Sequence, residues 1–468
     1  MVLARLLRPQ DFGLVGMVTA FTGVLNLFRD FGLSSAAIQR GNVTAAQSST
    51  LFWINMLVGV LLGLLTLAMA PALAVFYHEP RLVAVTAAVA TAFIFNAAGV
   101  QHSVLLQREL EFTALAVINT ISLVLATALA VAGAALGFGY WALVIMTIGL
   151  PLLNTIGCWL TTAWIPGRPQ RLVGIRSMLN FGGTVTLNSL VYYLASNADK
   201  VFLGRVWGVE ALGLYGRAYQ LISIPTDNLN SAAGEVAFSA LSRLQEDPPR
   251  LRNYFLKGYS LILAATLPLT TACAIFADDV VLVLLGPKWT AVAPIFRILA
   301  PTIVAFAIVN PLGWLLTSLG LVRRGLNMAI AIAPFMVGAY AIGVRYGPVG
   351  VAFAYSAVML LWVWPAVRWA VHGTMISSSD VFLTVSRPLV SCVVAGAVAL
   401  GVRLAISDLF PLPRLVLESS VLFVVFAVML LFVMGQKPLF LDLLRASGSK
   451  RVPDAMQGGT ASTGEALL

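Results

Sequence analysis

The chain has 468 residues, of which 59% are hydrophobic and 10% are charged, with a formal net charge of +10. Soluble domains carry roughly a quarter charged residues, so this composition excludes an ordinary soluble protein. The apolar runs continue over about 20 residues, as membrane-spanning helices require, whereas strands of a transmembrane β-barrel alternate over about ten. The sequence therefore predicts an all-α polytopic membrane protein.

Thirteen apolar spans follow one another along the chain, joined by short connections. They lie at about 12–28, 50–76, 82–105, 113–136, 140–165, 180–206, 211–240, 255–285, 293–319, 325–345, 348–371, 384–406 and 415–434. Residues 1–7 resemble the end of a preceding helix, which predicts a 14-helix design with its first helix largely missing here. The alternative is a chain that starts at Met1 with an incomplete first lobe. The polar, Gly-rich stretch 437–468 is predicted to be a disordered cytoplasmic tail.

The basic residues favour one side of the membrane. One set of alternate connections carries 18 of the 29 Lys and Arg residues, and the opposite set carries nine. Because Lys and Arg accumulate in cytoplasmic loops, the first set and the C-terminus are predicted to be cytoplasmic. The positive net charge is explained in this way, so we expect no nucleic-acid partner.

An internal repeat divides the chain. Offset by 200 residues, the matching pairs are Arg5 and Arg205, Gly13 and Gly213, Leu14 and Leu214, and Gly16 and Gly216. Both copies lie on the same predicted side, so the repeat is parallel, with a pseudo-twofold axis along the membrane normal and a cleft between two lobes. We predict an N-terminal lobe at 1–165, a cytoplasmic linker at 166–177, a six-helix C-terminal lobe at 178–372 and two additional helices at 378–436.

Ionisable residues inside spans are candidates for a substrate site, because charge in lipid is costly unless it faces a cavity or a partner. The candidates are Arg217, Asp199, Lys200, Tyr219, Asp227, Glu235 and Arg297, with Arg29 and Arg40 at the predicted inner mouth. Arg217 is favoured for a phosphate group, because a guanidinium matches phosphate oxygens bidentately. An intramembrane ion pair with Asp199 or Asp227 is the alternative. Asp227 and Glu235 are either proton-coupling carboxylates or charge-neutralising groups in helix packing.

The uncharged polar residues of the first lobe are a second set of candidates. They are Asn55, Asn96, Gln101, Asn119 and Asn154. Such amides bind sugar hydroxyls or form hydrogen bonds between helices. The three cysteines are scattered in apolar runs without a Cys/His cluster, so no metal and no cofactor are predicted.

Five stretches carry a family resemblance. They are ARLLRPQDFGLVGM, FRDFGLSSAAIQR, LLQRELEF, the stretch 197–205, and GLYGRAYQL. They resemble the Wzx-type polysaccharide flippases, the colanic and teichuronic acid exporter group of the multidrug/oligosaccharidyl-lipid/polysaccharide exporter superfamily. The resemblance implies a transporter of the bacterial inner membrane. By alternating access between two lobes, it would move undecaprenyl-diphosphate-linked oligosaccharide repeat units for exopolysaccharide, O-antigen or capsule assembly.

Rival functions make different demands on the sequence. A membrane-embedded polysaccharide polymerase or ligase should carry a large extracytoplasmic loop with catalytic basic residues, and a drug/cation antiporter of the same superfamily should carry an acidic first-lobe site. The first-lobe spans hold no Asp or Glu except Asp11 and Asp30 at their ends. We therefore expect a transporter and not an enzyme. The expected partners are the lipid-linked substrate, the bilayer, a coupling proton or sodium ion, and polysaccharide polymerase and chain-length machinery.

Overall fold

The computed structural model describes residues 1–29, 44–169, 176–406, 410–438 and 440, and over these residues the chain is all-α, as predicted. The first six helices are α1 (Val2–Leu6), α2 (Pro9–Leu27), α3 (Ala45–Tyr77), α4 (Leu82–Arg108), α5 (Phe112–Ala135) and α6 (Trp141–Thr162). They are followed by α7 (Arg176–Arg243), α8 (Pro248–Ile275), α9 (Ala277–Leu284), α10 (Val292–Leu299), α11 (Pro301–Ser318), α12 (Val322–Gly343), α13 (Gly347–Val371), α14 (Ser378–Ala405) and α15 (Pro411–Val428).

Most predicted spans coincide with helices, but the span 255–285 is divided into α8 and α9, and the span 293–319 into α10 and α11. Within the described ranges, nine helical stretches are long and apolar enough to cross a membrane, and one of them, Val322–Val371, combines α12 and α13. The predicted spans 180–206 and 211–240 are joined into α7, which turns at Gly208 with a φ of 78°. Glycine tolerates this positive φ because it has no Cβ.

The helices pack in two groups. In the N-terminal group α3 packs on α4, α5 on α6, and α4 on α6, whereas in the C-terminal group α12 packs on α13 and α11 on α8. Helix α14 lies against α8 and α15, outside the second group, and α2 packs along α7 to join the groups. The predicted lobe boundaries stay predictions, and nearly all of the predicted tail lies outside the described residues.

The two ends of the molecule differ in character. We call the end that holds Gly13, Gly208 and Gly213 the glycine end, and the opposite end, with Arg29, Arg108 and Arg243, the arginine end. At the glycine end, one buried apolar core crosses both groups, with Leu14 and Met17 of α2 packed among C-terminal residues such as Trp289. Close van der Waals packing of these side chains holds the groups together where α2 begins, because lipid tails are as apolar as the side chains that they would replace.

Candidate functional site

Helices α2, α4, α5, α6 and α7 surround a cavity of about 820 Å³. This volume lies within the usual range for small-molecule sites, about 300–1,000 Å³. Its polar lining residues are Thr19, Thr22, Asn26, Arg29, Asn96, Ser103, Gln107, Asn119, Thr147, Asn154, Thr155 and Tyr193. The cavity runs from the middle of α2 toward the arginine end.

Helical periodicity brings these side chains to one wall. On α2, Thr19, Thr22 and Asn26 are three and four residues apart, so they share a face. On α4, Asn96, Ser103 and Gln107 are seven and four residues apart and also share a face. Each helix therefore presents a row of polar side chains to the cavity.

Arg29 is the one charged side chain among the described lining residues, which include no carboxylate. Its Nη1 donates a hydrogen bond of 3.1 Å to Oδ1 of Asn96, whose Nδ2 in turn donates to the carbonyl oxygen of Ala92 at 3.0 Å. The Nε of Arg29 is buried and has no acceptor among the described residues. An unsatisfied buried donor on a cation is costly, and an anionic ligand would relieve that cost.

Amide side chains form the opposite wall. Asn154 of α6 donates to Oδ1 of Asn119 on α5, and Thr155 donates to the carbonyl oxygen of Phe95 at 2.7 Å. The hydroxyl of Tyr193 on α7 reaches the carbonyl oxygen of Thr19 at 3.2 Å. An Asn side chain has two donors and an acceptor with two lone pairs, so this pair keeps hydrogen-bonding capacity for a ligand.

The amides predicted from the sequence separate into two sets. Asn96, Asn119 and Asn154 line the cavity, whereas Asn55 and Gln101 are buried elsewhere at 2% exposure. Sequence reasoning missed Asn26 and Gln107 along with several hydroxyl residues. The regular spacing of polar residues along α2 and α4 is the signal that identifies them.

Arg217 lies outside this cavity. Its guanidinium carbon sits 3.5 Å from the ring centroid of Phe12 on α2, and its Nη1 donates to Oε1 of Gln220. No ion pair with Asp199 is present. Its predicted role as a phosphate ligand stays a prediction, whereas its contact with Phe12 places it between the two helix groups.

Asp199 and Lys200 lie on α7 close to Gly208. Asp199 is 2% exposed and accepts a hydrogen bond of 2.7 Å from the backbone N–H of Lys200, whose Nζ donates to Asn197 at 2.6 Å. Tyr219, another predicted residue, belongs to a chain of tyrosine rings near this carboxylate. Successive ring centroids of Tyr215, Tyr219, Tyr355 and Tyr340 are 6.4, 6.2 and 5.7 Å apart.

The remaining predicted residues do not meet at the cavity. Arg297 donates to Asp278 at 2.5 Å and to the carbonyl oxygen of Ala274, so it joins α10 to the end of α8 and the start of α9. Arg40 and the side chains of Asp227 and Glu235 lie outside the described residues. Their predicted roles stay predictions.

The glycine end closes the cleft above the cavity. Trp289 donates to the carbonyl oxygen of Ala4 at 2.7 Å, and Gln10 donates to Glu210 at 3.3 Å. Between these contacts, Gly13 on α2 meets the backbone of α7 so closely that an added Cβ would lie 1.7 Å from the oxygen of Val209. Among the described residues, these contacts join α1 to the C-terminal group and α2 to α7 at the glycine end.

Comparison with known protein families shows to which family the chain belongs. The family model described as "Polysaccharide biosynthesis protein" matches residues 2–294, more than half of the chain. The chain belongs to this polysaccharide biosynthesis protein family. The affiliation confirms the resemblance found in the sequence.

Relatives within this family extend the likeness over most of the chain. The chain is 27% identical to the teichuronic acid biosynthesis protein TuaB of Bacillus subtilis (strain 168), covering 80% of this chain and 78% of TuaB. It is 25% identical to the lipopolysaccharide biosynthesis protein WzxC of Escherichia coli (strain K12), covering 77% and 74%. It is 23% identical to the succinoglycan biosynthesis transport protein ExoT of Rhizobium meliloti (strain 1021), covering 64% and 60%.

Solved structures share the fold of this family member. The lipid II flippase MurJ in an inward closed conformation superposes with a TM-score of 0.72 at 12% identity, covering 92% of this chain and 95% of MurJ. An inward-facing multidrug resistance transporter of the MATE family superposes with a TM-score of 0.62 at 18% identity, covering 82% and 94%. These likenesses confirm the predicted fold class.

Proposed function

We propose that the chain flips undecaprenyl-diphosphate-linked oligosaccharide repeat units across the bacterial inner membrane for surface polysaccharide assembly. The family affiliation supports a role in polysaccharide biosynthesis. Among the similar proteins, ExoT is named a transport protein and MurJ a lipid II flippase. The name of neither relative describes an enzyme, which supports transport rather than catalysis.

The observation that carries the proposal is Arg29 in an amide-lined cavity. A lipid-linked diphosphate sugar presents negative charge next to many hydroxyl groups. Arg29 supplies the positive charge and an Nε donor that has no acceptor in the described part of the chain, and Asn119 and Asn154 supply neutral partners for hydroxyls. A cationic drug would find no carboxylate among the described lining residues, so the cavity does not favour the antiporter alternative.

The contacts at the glycine end support a mechanism of alternating access. The cavity extends toward the arginine end, and the contacts of Gly13 close the glycine end. The excess of basic residues supports a cytoplasmic position for the arginine end and the C-terminus. In this state the substrate head enters from the cytoplasmic leaflet, and separation of α2 from α7 releases it on the other side.

Coupling and downstream partners complete the proposal. Asp199, buried beside the tyrosine chain, is the carboxylate that we assign to proton or sodium coupling, because ionisable groups within membrane spans commonly serve as proton relays or ion sites. The flipped repeat unit passes to polysaccharide polymerase and chain-length machinery in the same membrane.

The test uses a strain in which the gene is deleted. Complementation with Arg29→Gln should lower surface polysaccharide by about tenfold or more and cause lipid-linked repeat units to accumulate, because a charge-assisted hydrogen bond contributes about 1.5–3 kcal/mol. The matched control is Arg168→Gln, since Arg168 is exposed at the same end and outside the cavity lining. Normal polysaccharide in the deletion strain, without accumulation of repeat units, would refute the proposed function.

A further inference from the structure

The seam between α8 and α14 carries two pockets on the outer side of the C-terminal group. At the arginine end lies a polar pocket of about 440 Å³, whose lining includes Lys257 and Arg387. Further along the same two helices lies an apolar pocket of about 310 Å³, whose lining includes Leu267, Val393 and Ala397. The seam is therefore charged at one end and apolar at the other.

The polar pocket has an excess of positive charge. Lys257 and Arg387 are both exposed, and neither side chain makes a hydrogen bond or an ion pair within the described part of the chain. The carboxylate in the pocket, Asp380, is already held by Arg252 through two hydrogen bonds of 3.0 and 2.5 Å. Two cationic side chains are thus left to attract an anion.

One wall of the polar pocket is fixed by a buried hydrogen bond. Gln436, just beyond α15, is 6% exposed, and its Oε1 accepts from the hydroxyl of Ser260 on α8 at 3.2 Å. This contact holds the segment that follows α15 against α8. The pocket therefore has a preorganised shape beside the two cations.

The apolar pocket continues as a stripe along α14. Leu389, Val393 and Leu400 are 42%, 66% and 46% exposed, and Ala397 lies between the last two. Their spacing of four, four and three residues puts them on one face. The small side chain at Ala397 leaves room for a ligand in the middle of this stripe.

The two pockets together extend over about the depth of one lipid leaflet. From Lys257 to Thr271 the chain advances fourteen residues along α8. At about 1.5 Å per residue this is roughly 21 Å, close to half of the 40–45 Å thickness of a bilayer with its headgroups. A molecule with its charge at Lys257 can therefore lay its apolar part over the second pocket.

We propose that this seam binds an anionic phospholipid of the surrounding bilayer. Its phosphate lies between Lys257 and Arg387, and one acyl chain follows the stripe from Leu389 to Leu400. The charge complementarity selects an anionic lipid over a zwitterionic one, because the pocket supplies positive charge without an unpaired carboxylate. This site lies outside the transport cavity and does not depend on the proposed function.

The experiment measures lipid retention by the full-length purified protein. Native mass spectrometry compares phosphatidylglycerol with phosphatidylcholine carrying the same acyl chains. The protein should retain phosphatidylglycerol in preference, and Lys257→Glu combined with Arg387→Glu should lower that retention at least about tenfold, because basic groups at a membrane surface each attract anionic lipid. Equal retention of both lipids by the unaltered protein would overturn the proposal.

Matched variants separate the site from general charge effects. Arg323→Glu changes another exposed basic residue at the same end, on α12, and should leave retention unchanged. If the double variant Lys257→Glu with Arg387→Glu does not elute as a single species in gel filtration, the milder double variant Lys257→Gln with Arg387→Gln replaces it. If Arg323→Glu lowers phosphatidylglycerol retention as much as the Lys257→Glu and Arg387→Glu double variant does, a specific site is contradicted.

A variant in the apolar pocket tests the acyl chain. Ala397→Trp fills the stripe from the exposed side and should weaken retention of long-chain phosphatidylglycerol severalfold, with little effect on a dihexanoyl analogue. Glycerol phosphate should compete poorly against the long-chain lipid. If glycerol phosphate competes as strongly as the long-chain lipid, the seam binds phosphate without an acyl chain. That result would reject the proposal.

Discussion

Gly13 and Gly213, which occupy the same position in the two copies of the internal repeat, pack against each other's helices. A Cβ on Gly13 would lie 1.7 Å from the oxygen of Val209, and a Cβ on Gly213 would lie 1.9 Å from the oxygen of Pro9. Pro9 and Val209 are also 200 residues apart, so the contact is reciprocal. The pseudo-twofold axis predicted from the sequence therefore passes through this crossing of α2 and α7.

Alanine at either glycine should prevent tight closure of the glycine end. Gly13→Ala or Gly213→Ala forces the two backbones apart, and overpacking of this kind typically costs about 1–3 kcal/mol. We expect polysaccharide production to fall and thiol labelling of a Leu212→Cys reporter to rise, because Leu212 is 2% exposed against α2. Gly216→Ala is the matched control, because an added Cβ there meets nothing within 4 Å. Equal effects at Gly13 and Gly216 would contradict this role.

The cation–π contact between Arg217 and Phe12 should stabilise the packing of α2 against α7. A cation over an aromatic face contributes about 0.5–2 kcal/mol. Phe12→Leu and Arg217→Gln should each lower the free energy of unfolding by about this amount, and the double variant by less than their sum. A double-mutant cycle from thermal unfolding in detergent gives the coupling. Strict additivity, with a transport defect for Arg217→Gln only, would instead support the phosphate role predicted from the sequence.

A negative charge in the cavity should oppose an anionic substrate. Asn154→Asp keeps the size of the side chain beside Asn119 but adds a carboxylate to a wall that carries none among its described residues. We expect surface polysaccharide to fall at least about tenfold further than with Asn154→Ala, because like charges repel strongly in a poorly solvated site. Quantifying surface polysaccharide in the complemented strain checks this. An Asp variant as active as the Ala variant would argue against a diphosphate ligand.

An ionic cluster at the glycine end should anchor the two outer helices. Asp279 of α9 is 1% exposed, lies 3.4 Å from Arg403 of α14 and accepts a hydrogen bond from Arg414 of α15. Asp279→Ala leaves both cations without this partner, and breaking a buried pair typically costs about 3–5 kcal/mol. Thermal unfolding in detergent should therefore shift markedly.

The neighbouring exposed ion pair is the control for that variant. Arg297 and Asp278 have side chains that are 47% and 54% exposed. Arg297→Gln should change the free energy of unfolding by about 1 kcal/mol or less, because solvent screens exposed pairs. A loss as large as that of Asp279→Ala would contradict the distinction between buried and exposed pairs.

The sequence by itself determined the class, the spans and the symmetry. Apolar runs of sufficient length can cross a bilayer only as helices here, because every backbone polar group must be satisfied within the segment. The offset between Gly13 and Gly213 was visible in the sequence because close backbone contact admits glycine alone. The class and the spans depend on local composition. The repeat depends on a steric requirement that only glycine meets.

Only the tertiary structure decided which polar residues share a site. Asn96, Asn119 and Asn154 stand on three helices, and their convergence depends on how each helix is rotated and packed. Arg297 pairs with Asp278 close by, whereas the buried Nε of Arg29 has no acceptor among the described residues. Side-chain partners are set by packing between distant segments, so the pattern along one helix does not reveal them.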